Sequence, residues 1–174
     1  MSNELLELLK SRRSIRSYLP KMIKEEELDA IVEAGTYAPT AMGRQSPIIV
    51  AVTNKEIRDE LSRMNAEIMQ SVMDPYYGAP VIILVFAPRE EATHIQDASC
   101  VLLNMMLAAH SLHIGTCWIN REKEMFNTPR GKQLMAEWKI DGCYEGVGAL
   151  AVGYSREKDP CPKKRKSDYI IKVK

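Results

Sequence analysis

Residues 100–109 constrain the fold of this 174-residue chain more than any other segment. The run reads CVLLNMMLAA, and Asn104 is its one polar residue. A helix that is apolar on every side must be buried on every side. Because a chain of this size cannot easily surround one helix completely, we expect residues 97–112 to form a helix in the core of a dimer.

The rest of the chain mixes helices and strands without a strict strand–helix–strand repeat. Helices are predicted after Asn3, over residues 24–38, from Asn54 to about residue 73, and over residues 130–138. Strands are predicted over residues 48–52, 81–86, 116–119 and 144–154, with an extended segment at residues 14–19. These elements predict one α+β layered domain over residues 1–174. Its tail, about residues 155–174, has little capacity for its own core and would pair as an edge strand or dock on a partner subunit.

Composition argues against several classes of function. The formal net charge of +1 is too small for a general nucleic-acid binder, and the apolar runs are too short to span a membrane. The four cysteines contain no CxxC pair, which gives no support to zinc or thioredoxin-type chemistry. The charged N-terminus has no uninterrupted apolar stretch, so we expect a cytoplasmic protein with reduced, mostly buried thiols.

Two compact cationic clusters stand near opposite ends of this nearly neutral chain. The first contains Arg12, Arg13, Ser14 and Arg16, and the second is residues 163–166, KKRK. A guanidinium group donates two parallel hydrogen bonds to phosphate oxygens, so one small phosphorylated ligand held by both clusters would explain them. In an extended segment Ser14 and Arg16 face the same way. A solvated basic turn and a disordered tail remain the alternatives.

The loop at residues 39–47 and two histidines are weaker candidates. The loop offers small residues, a hydroxyl group and backbone N–H groups that could cap a polar ligand, although an ordinary connection fits equally well. His110 and His113 have a spacing that can bind a metal, but no third ligand lies close in sequence. We interpret them as surface or helix-terminal histidines and expect no metal.

In their order and spacing, these motifs resemble the nitroreductase family of FMN-dependent NAD(P)H oxidoreductases. The resemblance is carried by residues 12–18, 38–41, Gln45, 97–99, 104–110, 115–119, 153–154, Lys163 and Arg165. It implies a nitroreductase-like layered fold, with a central, mostly antiparallel sheet flanked by helices. It also implies an entwined homodimer that holds two FMN molecules at the subunit interface.

The resemblance assigns the cofactor-binding residues by position. Near the N-terminus, Arg12, Arg13 and Ser14 would hold the FMN phosphate and ribityl chain, and Arg16 would lie near the pyrimidine edge. The other implied residues are Lys163 and Arg165 at the phosphate; Pro39, Thr40, Ala41 and Gln45, reaching FMN from the other subunit; and Asn65, Trp118 and Ile119 beside the ring.

The implied activity is transfer of hydride from NADH or NADPH through flavin N5 to a small-molecule acceptor, such as a nitroaromatic or a quinone, in ping-pong turnover. Arg16 would stabilise the negative charge that develops on the flavin, and no acid or base residue is assigned. The chain departs from the family at Gly43-Arg44, at His113 and at Ser155. It also lacks long lid insertions, which leaves open a flavin-binding carrier or sensor with little turnover.

Overall fold

The computed structural model describes residues 3–157 and 160–174, so residues 1, 2, 158 and 159 of the predicted domain lie outside the described part. Within these described residues there are six helices, together with a short 3₁₀ turn at Ala41–Gly43. The helices are α1 (Glu4–Ser11), α2 (Glu25–Thr36), α3 (Lys55–Met69), α4 (His94–Ser111), α5 (Glu122–Asn127) and α6 (Pro129–Glu137). The strands are β1 (Ile48–Val52), β2 (Val81–Pro88), β3 (Gly115–Ile119) and β4 (Tyr144–Gly153).

The four strands form one antiparallel sheet in the order β1-β2-β4-β3. Strand β2 is buried along its whole length because it has a neighbour on each side and helices on both faces. Its register with β4 shifts between Val85 and Phe86, which leaves Val147 as an extra residue on β4. The predicted α+β fold with a mostly antiparallel sheet is therefore confirmed.

Helices cover both faces of this sheet, so the domain has three layers. On one face, Ile31 of α2 and Met105 of α4 belong to a buried cluster with Ile83 of β2. On the other face, helices α3, α5 and α6 form a second buried cluster with the sheet, to which Leu61 and Leu134 belong. Alternating residues of each strand supply both clusters, as the two-residue period of a strand requires.

Most helix boundaries follow from local capping. The side-chain oxygens of Asn3 and Asn54 accept hydrogen bonds from the backbone N–H groups of Leu6 and Ile57, at 2.8 and 3.0 Å. Both caps were predicted. Helix α3 ends at Met69, four residues before the predicted end, because the next residue adopts a left-handed φ of 52°. Helix α5 was not predicted.

Helix α4 is not buried on every side within one chain, so its burial in the core of a dimer stays a prediction. Ile95 and Leu103 lie on one side of the helix with 51% and 49% of their surface exposed.

The expectation of mostly buried thiols is wrong. The four cysteines are free, and only Cys117 among them is buried.

Candidate functional site

The N-terminal cationic segment lies along the open edge of β3. The backbone N–H of Ile15 donates to the carbonyl oxygen of Thr116 at 2.9 Å, and Ser14 forms a parallel bridge with Thr116. Further on, Leu19 N–H donates to the carbonyl oxygen of Tyr154 at 2.9 Å. The extended conformation predicted for residues 14–19 is confirmed, and the sheet fixes the position of the arginines that precede and follow it.

Gly115 allows this segment to approach β3 closely. A Cβ atom at Gly115 would lie 2.9 Å from both Cβ and Cγ1 of Ile15. That distance is too short for two carbon atoms, and the neighbouring atom belongs to a β-branched side chain packed in the core. The glycine is therefore required for the seating of the cationic segment.

A small cavity of about 100 Å³ opens beside this segment and carries a concentration of positive charge. Arg12, Arg13, His110 and His113 line it, and none of its described lining residues is Asp or Glu. The remaining lining residues are Ile15, Ile114, Gly115, Thr116 and Ser155. Such a cavity is suited to an anion.

Arg12 shows the clearest need for an anionic partner. Its Nη1 atom is buried and has no hydrogen-bond partner among the described residues. Burial, followed by the positive charge of Arg13, lowers the pKa of the Arg12 guanidinium. Both effects disfavour the charged form, and the negative charge of a bound anion would offset them. A buried donor without a partner costs free energy, so the geometry favours a ligand with acceptor oxygens at this point.

Arg13 is already engaged with the end of helix α1. Its Nη1 atom donates to the carbonyl oxygens of Lys10 and Arg12, at 2.8 and 2.6 Å. These oxygens are among the last carbonyl groups of the helix, which carry partial negative charge. Arg13 therefore has a structural role in addition to lining the cavity.

Ser14 and Arg16 line a second cavity of about 230 Å³, to which Ile15, Ser17, Ser155, Glu157 and Pro160 also contribute. Ile15 and Ser155 line both cavities, so the two adjoin. The Arg16 guanidinium lies 5.9 Å from the ring centroid of Tyr77, and its side chain belongs to none of the ion pairs found between described residues. A polar groove with an available cation thus continues from the anion cavity.

The loop with Pro39, Thr40, Ala41 and Gln45 is ordered by the start of helix α4. The buried carboxylate of Asp97 accepts the N–H of Ala41 at 3.1 and 3.2 Å, and Thr40 Oγ1 accepts the N–H of Gln45 at 3.0 Å. None of these loop residues lines either cavity within this chain. A contact between the loop and a ligand in a partner subunit stays a prediction.

Arg44 is directed towards an acidic residue of the same region. Its Nη1 atom lies 3.8 Å from Glu91 Oε1, and Ser46 Oγ donates to the other Glu91 oxygen at 2.9 Å. This departure from the family pattern is thus held by a weak, half-exposed ion pair.

Asn65 lies in a buried polar network rather than in either cavity. Its side chain is 0% exposed and donates to the carbonyl oxygen of Asn120 at 3.0 Å, while it accepts from Arg121 Nε at 2.7 Å. A flavin contact for Asn65 stays a prediction. Trp118 is half-buried on β3 and donates from its indole N–H to Asn120 Oδ1 at 2.9 Å. Ile119, the last residue of β3, is buried in the core.

Lys163 and Arg165 lie in the exposed tail, and neither lines the Arg12 cavity within this chain. The tail also exposes Tyr169 and Ile171, at 77% and 87%. The structure of one chain does not bring the two cationic clusters together.

Several lining residues received no role from the sequence. Thr116 and Ser155 contribute to the cavities, and Asp97 holds the 39–45 loop. His110 and His113 both line the cavity that contains Arg12, and the Nε2 atom of His110 lies 2.8 Å from Ser11 Oγ. The resemblance covers Asp97, His110 and Thr116 without giving any of them a role. The position of Thr116 beside the cationic segment depends on tertiary pairing with β3, which the sequence does not specify.

The described residues contain no group of three or more His, Cys, Asp or Glu side chains arranged to hold a metal ion. Within residues 3–157 and 160–174, no helix combines the length and the apolar character needed to cross a membrane.

Comparisons with known proteins agree with this geometry. The profile described as the nitroreductase family matches residues 9–154. A protein of Archaeoglobus fulgidus, provisionally named NADH dehydrogenase/NAD(P)H nitroreductase, is 27% identical over 163 residues, which cover 90% of this chain and 88% of the relative. A protein of the same name from Methanothermobacter thermautotrophicus is 31% identical over 123 residues. The match covers 66% of this chain and 60% of the relative.

Among solved structures, a nitroreductase with bound FMN from Bacteroides fragilis superposes with a TM-score of 0.90 at 31% sequence identity. The superposition covers 99% of this chain and 100% of that one. The profile match spans most of the chain, and the structural match extends over nearly all of it, so this chain belongs to the nitroreductase family.

Proposed function

We propose that this protein is an FMN-dependent oxidoreductase that uses NADH or NADPH to reduce a small-molecule acceptor such as a nitroaromatic or a quinone. The observation that carries the proposal is the buried, unpartnered Nη1 atom of Arg12, in a cavity whose described lining has four basic side chains and no carboxylate. A phosphate monoester supplies the acceptor oxygens and negative charge that this cavity lacks.

The residues present fit FMN. Arg12 would bind the phosphate, with Ser14 on the adjoining groove placed for the ribityl chain. Arg13 would add positive charge while it keeps its bonds to helix α1. The A. fulgidus relative bears a name that specifies NAD(P)H, and the B. fragilis structure contains FMN, which supports the same donor and cofactor here.

When bound, FMN supplies the redox chemistry, because its N5 atom accepts hydride from NAD(P)H and the electrons pass on in a second half-reaction. The protein's own contribution is binding, orientation and electrostatics. Arg16 places an exposed cation in the groove that adjoins the Arg12 cavity. There it would stabilise negative charge on the pyrimidine edge of the flavin. The groove wall formed by residues 14–17 is fixed by hydrogen bonds of Ile15 to Thr116 of β3 and of Ser17 to Arg156, which follows β4.

A homodimer would complete this site. One chain leaves the Ile95 and Leu103 side of α4 uncovered and the tail with Tyr169 and Ile171 exposed. Apolar surfaces of this kind are usually covered by a partner, and each large side chain buried contributes about 1.5–3 kcal/mol. We propose that the tail docks on the partner and carries Lys163 and Arg165 to a phosphate.

Light scattering after size-exclusion chromatography tests the dimer. Leu103→Glu should shift the protein towards monomer, whereas Met69→Glu, which puts the same charge on a partly exposed site of another helix, should not. A wild-type protein that is monomeric at micromolar concentration would contradict the dimer.

The function is tested by the visible absorption spectrum of the purified, FMN-reconstituted protein, before and after anaerobic addition of NADH and then NADPH. Bleaching of the flavin band supports the oxidoreductase and identifies the donor. A stable flavin band that neither donor bleaches would favour a carrier or sensor. Failure to bind FMN would overturn the assignment of the Arg12 cavity. The cytoplasmic location stays a prediction of the sequence.

A further inference from the structure

Glu122, the first residue of α5, carries a buried carboxyl group that the proposed chemistry does not use. The residue is 0% exposed, and its Oε1 atom accepts the Tyr76 hydroxyl at 3.1 Å. Its Oε2 atom is buried without a hydrogen-bond partner among the described residues. The backbone of β4 lies directly against it, since a Cβ atom at Gly146 would be 2.8 Å from Glu122 Cβ.

A chain of hydrogen bonds leads from this carboxyl group to the end of β3. The Tyr76 hydroxyl lies 3.3 Å from Asn65 Nδ2, the atom that also donates to the carbonyl oxygen of Asn120. The other end of the Asn65 amide accepts from Arg121, whose backbone has a left-handed φ of 87°. The network therefore holds the turn at residues 120–121, which directly follows the strand predicted to run beside the flavin.

The charges around Glu122 do not compensate a carboxylate fully. The Arg121 Nε atom donates to Asn65 and not to Glu122. The Glu122 backbone N–H, the Tyr76 hydroxyl and the charge of Arg121 each lower the pKa of the Glu122 carboxyl group. Burial outweighs these effects, with a small contribution from Glu124, and raises the pKa of Glu122 to about 8. Tyr76 stays protonated in this range, because burial and Glu122 raise its pKa as well.

We propose that Glu122 is a positioning residue, held as a neutral acid, whose hydrogen-bonded network fixes the turn at residues 120–121 and releases it when the proton is lost. An ionised carboxylate at a buried site attracts water or moves outward, and either change disturbs Tyr76 and Asn65. The inference rests on the proposed function only in placing a flavin beside this turn.

Trp118 reports on the turn, because its indole N–H donates to Asn120 Oδ1. Fluorescence of the FMN-free protein between pH 6 and 9.5, with the other tryptophan removed by Trp138→Phe, should show a transition near the pKa of Glu122. Glu122→Gln, which mimics the neutral acid, should abolish the transition. The neighbouring Glu124→Gln removes the same charge from an exposed site and should keep it.

The stability of the same proteins gives an independent readout. The folded-state pKa of Glu122 lies above the ordinary value of 4.5, so its contribution is fully present below pH 4.5 and is lost as pH rises towards 8. Between these values the unfolding constant should rise about tenfold per pH unit from this group. In urea unfolding at several pH values, Glu122→Gln should lack this rise of the unfolding constant with pH, and Glu124→Gln should retain it.

The proposal would be overturned if Trp118 fluorescence did not change between pH 6 and 9.5. It would also be overturned if the unfolding constants of wild type and Glu122→Gln depended on pH to the same extent. Both measurements use the FMN-free protein, so their outcome is separate from that of the proposed function. In the FMN-loaded enzyme, reduction by NADH should slow above pH 8 in the wild type and not in Glu122→Gln. A purely structural carboxyl group would leave the two pH profiles parallel.

Discussion

Replacing Arg12 with methionine separates ligand binding from folding. Methionine keeps much of the length and the apolar stem but removes the buried Nη1 atom that lacks a partner. In the ligand-free protein this change relieves the cost of an unsatisfied buried donor, about 1–3 kcal/mol, against which lost packing must be set. We expect the free energy of unfolding without FMN to stay the same or to rise by about 1 kcal/mol.

FMN affinity should change in the opposite direction. A hydrogen bond to a charged group contributes about 1.5–3 kcal/mol, so Arg12→Met should raise the dissociation constant of FMN roughly 10- to 150-fold. Quenching of flavin fluorescence during titration measures this constant. Urea unfolding measures the stability of the ligand-free protein.

Arg13→Met is the matched control, since the two arginines are adjacent and carry the same charge. Its Nη1 atom bonds two carbonyl oxygens at the end of α1, so its loss should cost about 0.5–1.5 kcal/mol of stability without ligand. Its effect on FMN binding should be smaller than that of Arg12→Met. Wild-type affinity in Arg12→Met, or an equal loss of stability in both variants, would refute the reasoning.

Two further predictions concern charge and packing. Arg16→Ala should slow flavin reduction by NAD(P)H in stopped-flow measurements more than it weakens FMN binding, and unchanged reduction kinetics would contradict the role of Arg16. Gly131→Ala should destabilise the protein by about 1–3 kcal/mol, because the new Cβ atom would lie 2.2 Å from a carbonyl oxygen of α5. Gly142→Ala, which meets no atom within 4 Å, should leave the urea midpoint unchanged or raise it slightly.

The parts of the fold that the sequence predicted correctly are those that local rules determine. The caps at Asn3 and Asn54 and the bounds of β1 depend on residues close in the chain. The α+β class followed because no strict strand–helix–strand repeat was present, whereas the mostly antiparallel sheet was implied only by the resemblance to the nitroreductase family. The extended segment at residues 14–19 was predicted from its own alternation, although its partner Thr116 lies about a hundred positions away and could not be read from the sequence.

The buried acid shows where sequence reasoning ends. Residues 121–124, Arg-Glu-Lys-Glu, have the composition of a solvated surface, and α5 is too short for a periodic pattern. Gly146 indicated a close approach within a strand, but not which residue approaches. The burial of Glu122 arises from packing between α5 and β4, which are separated by α6 in the chain.

The two cationic clusters lead to a prediction about assembly. Lys163 and Arg165 stand on the same exposed tail as Tyr169 and Ile171, so docking that buries the apolar residues would also fix the cations. If these cations reach a phosphate in the dimer, FMN binding and dimerisation are thermodynamically coupled. Each must then strengthen the other by the same factor.

Sedimentation measurements at several protein concentrations test this linkage. FMN should lower the dimer dissociation constant of the wild type, by at least about tenfold if one charge-assisted hydrogen bond depends on the partner. Ala at both Lys163 and Arg165 should remove most of the FMN effect and leave dimerisation without FMN nearly unchanged, since the apolar contacts remain. A dimer constant that FMN does not alter would show that each chain holds its phosphate alone, and that the tail cations act elsewhere.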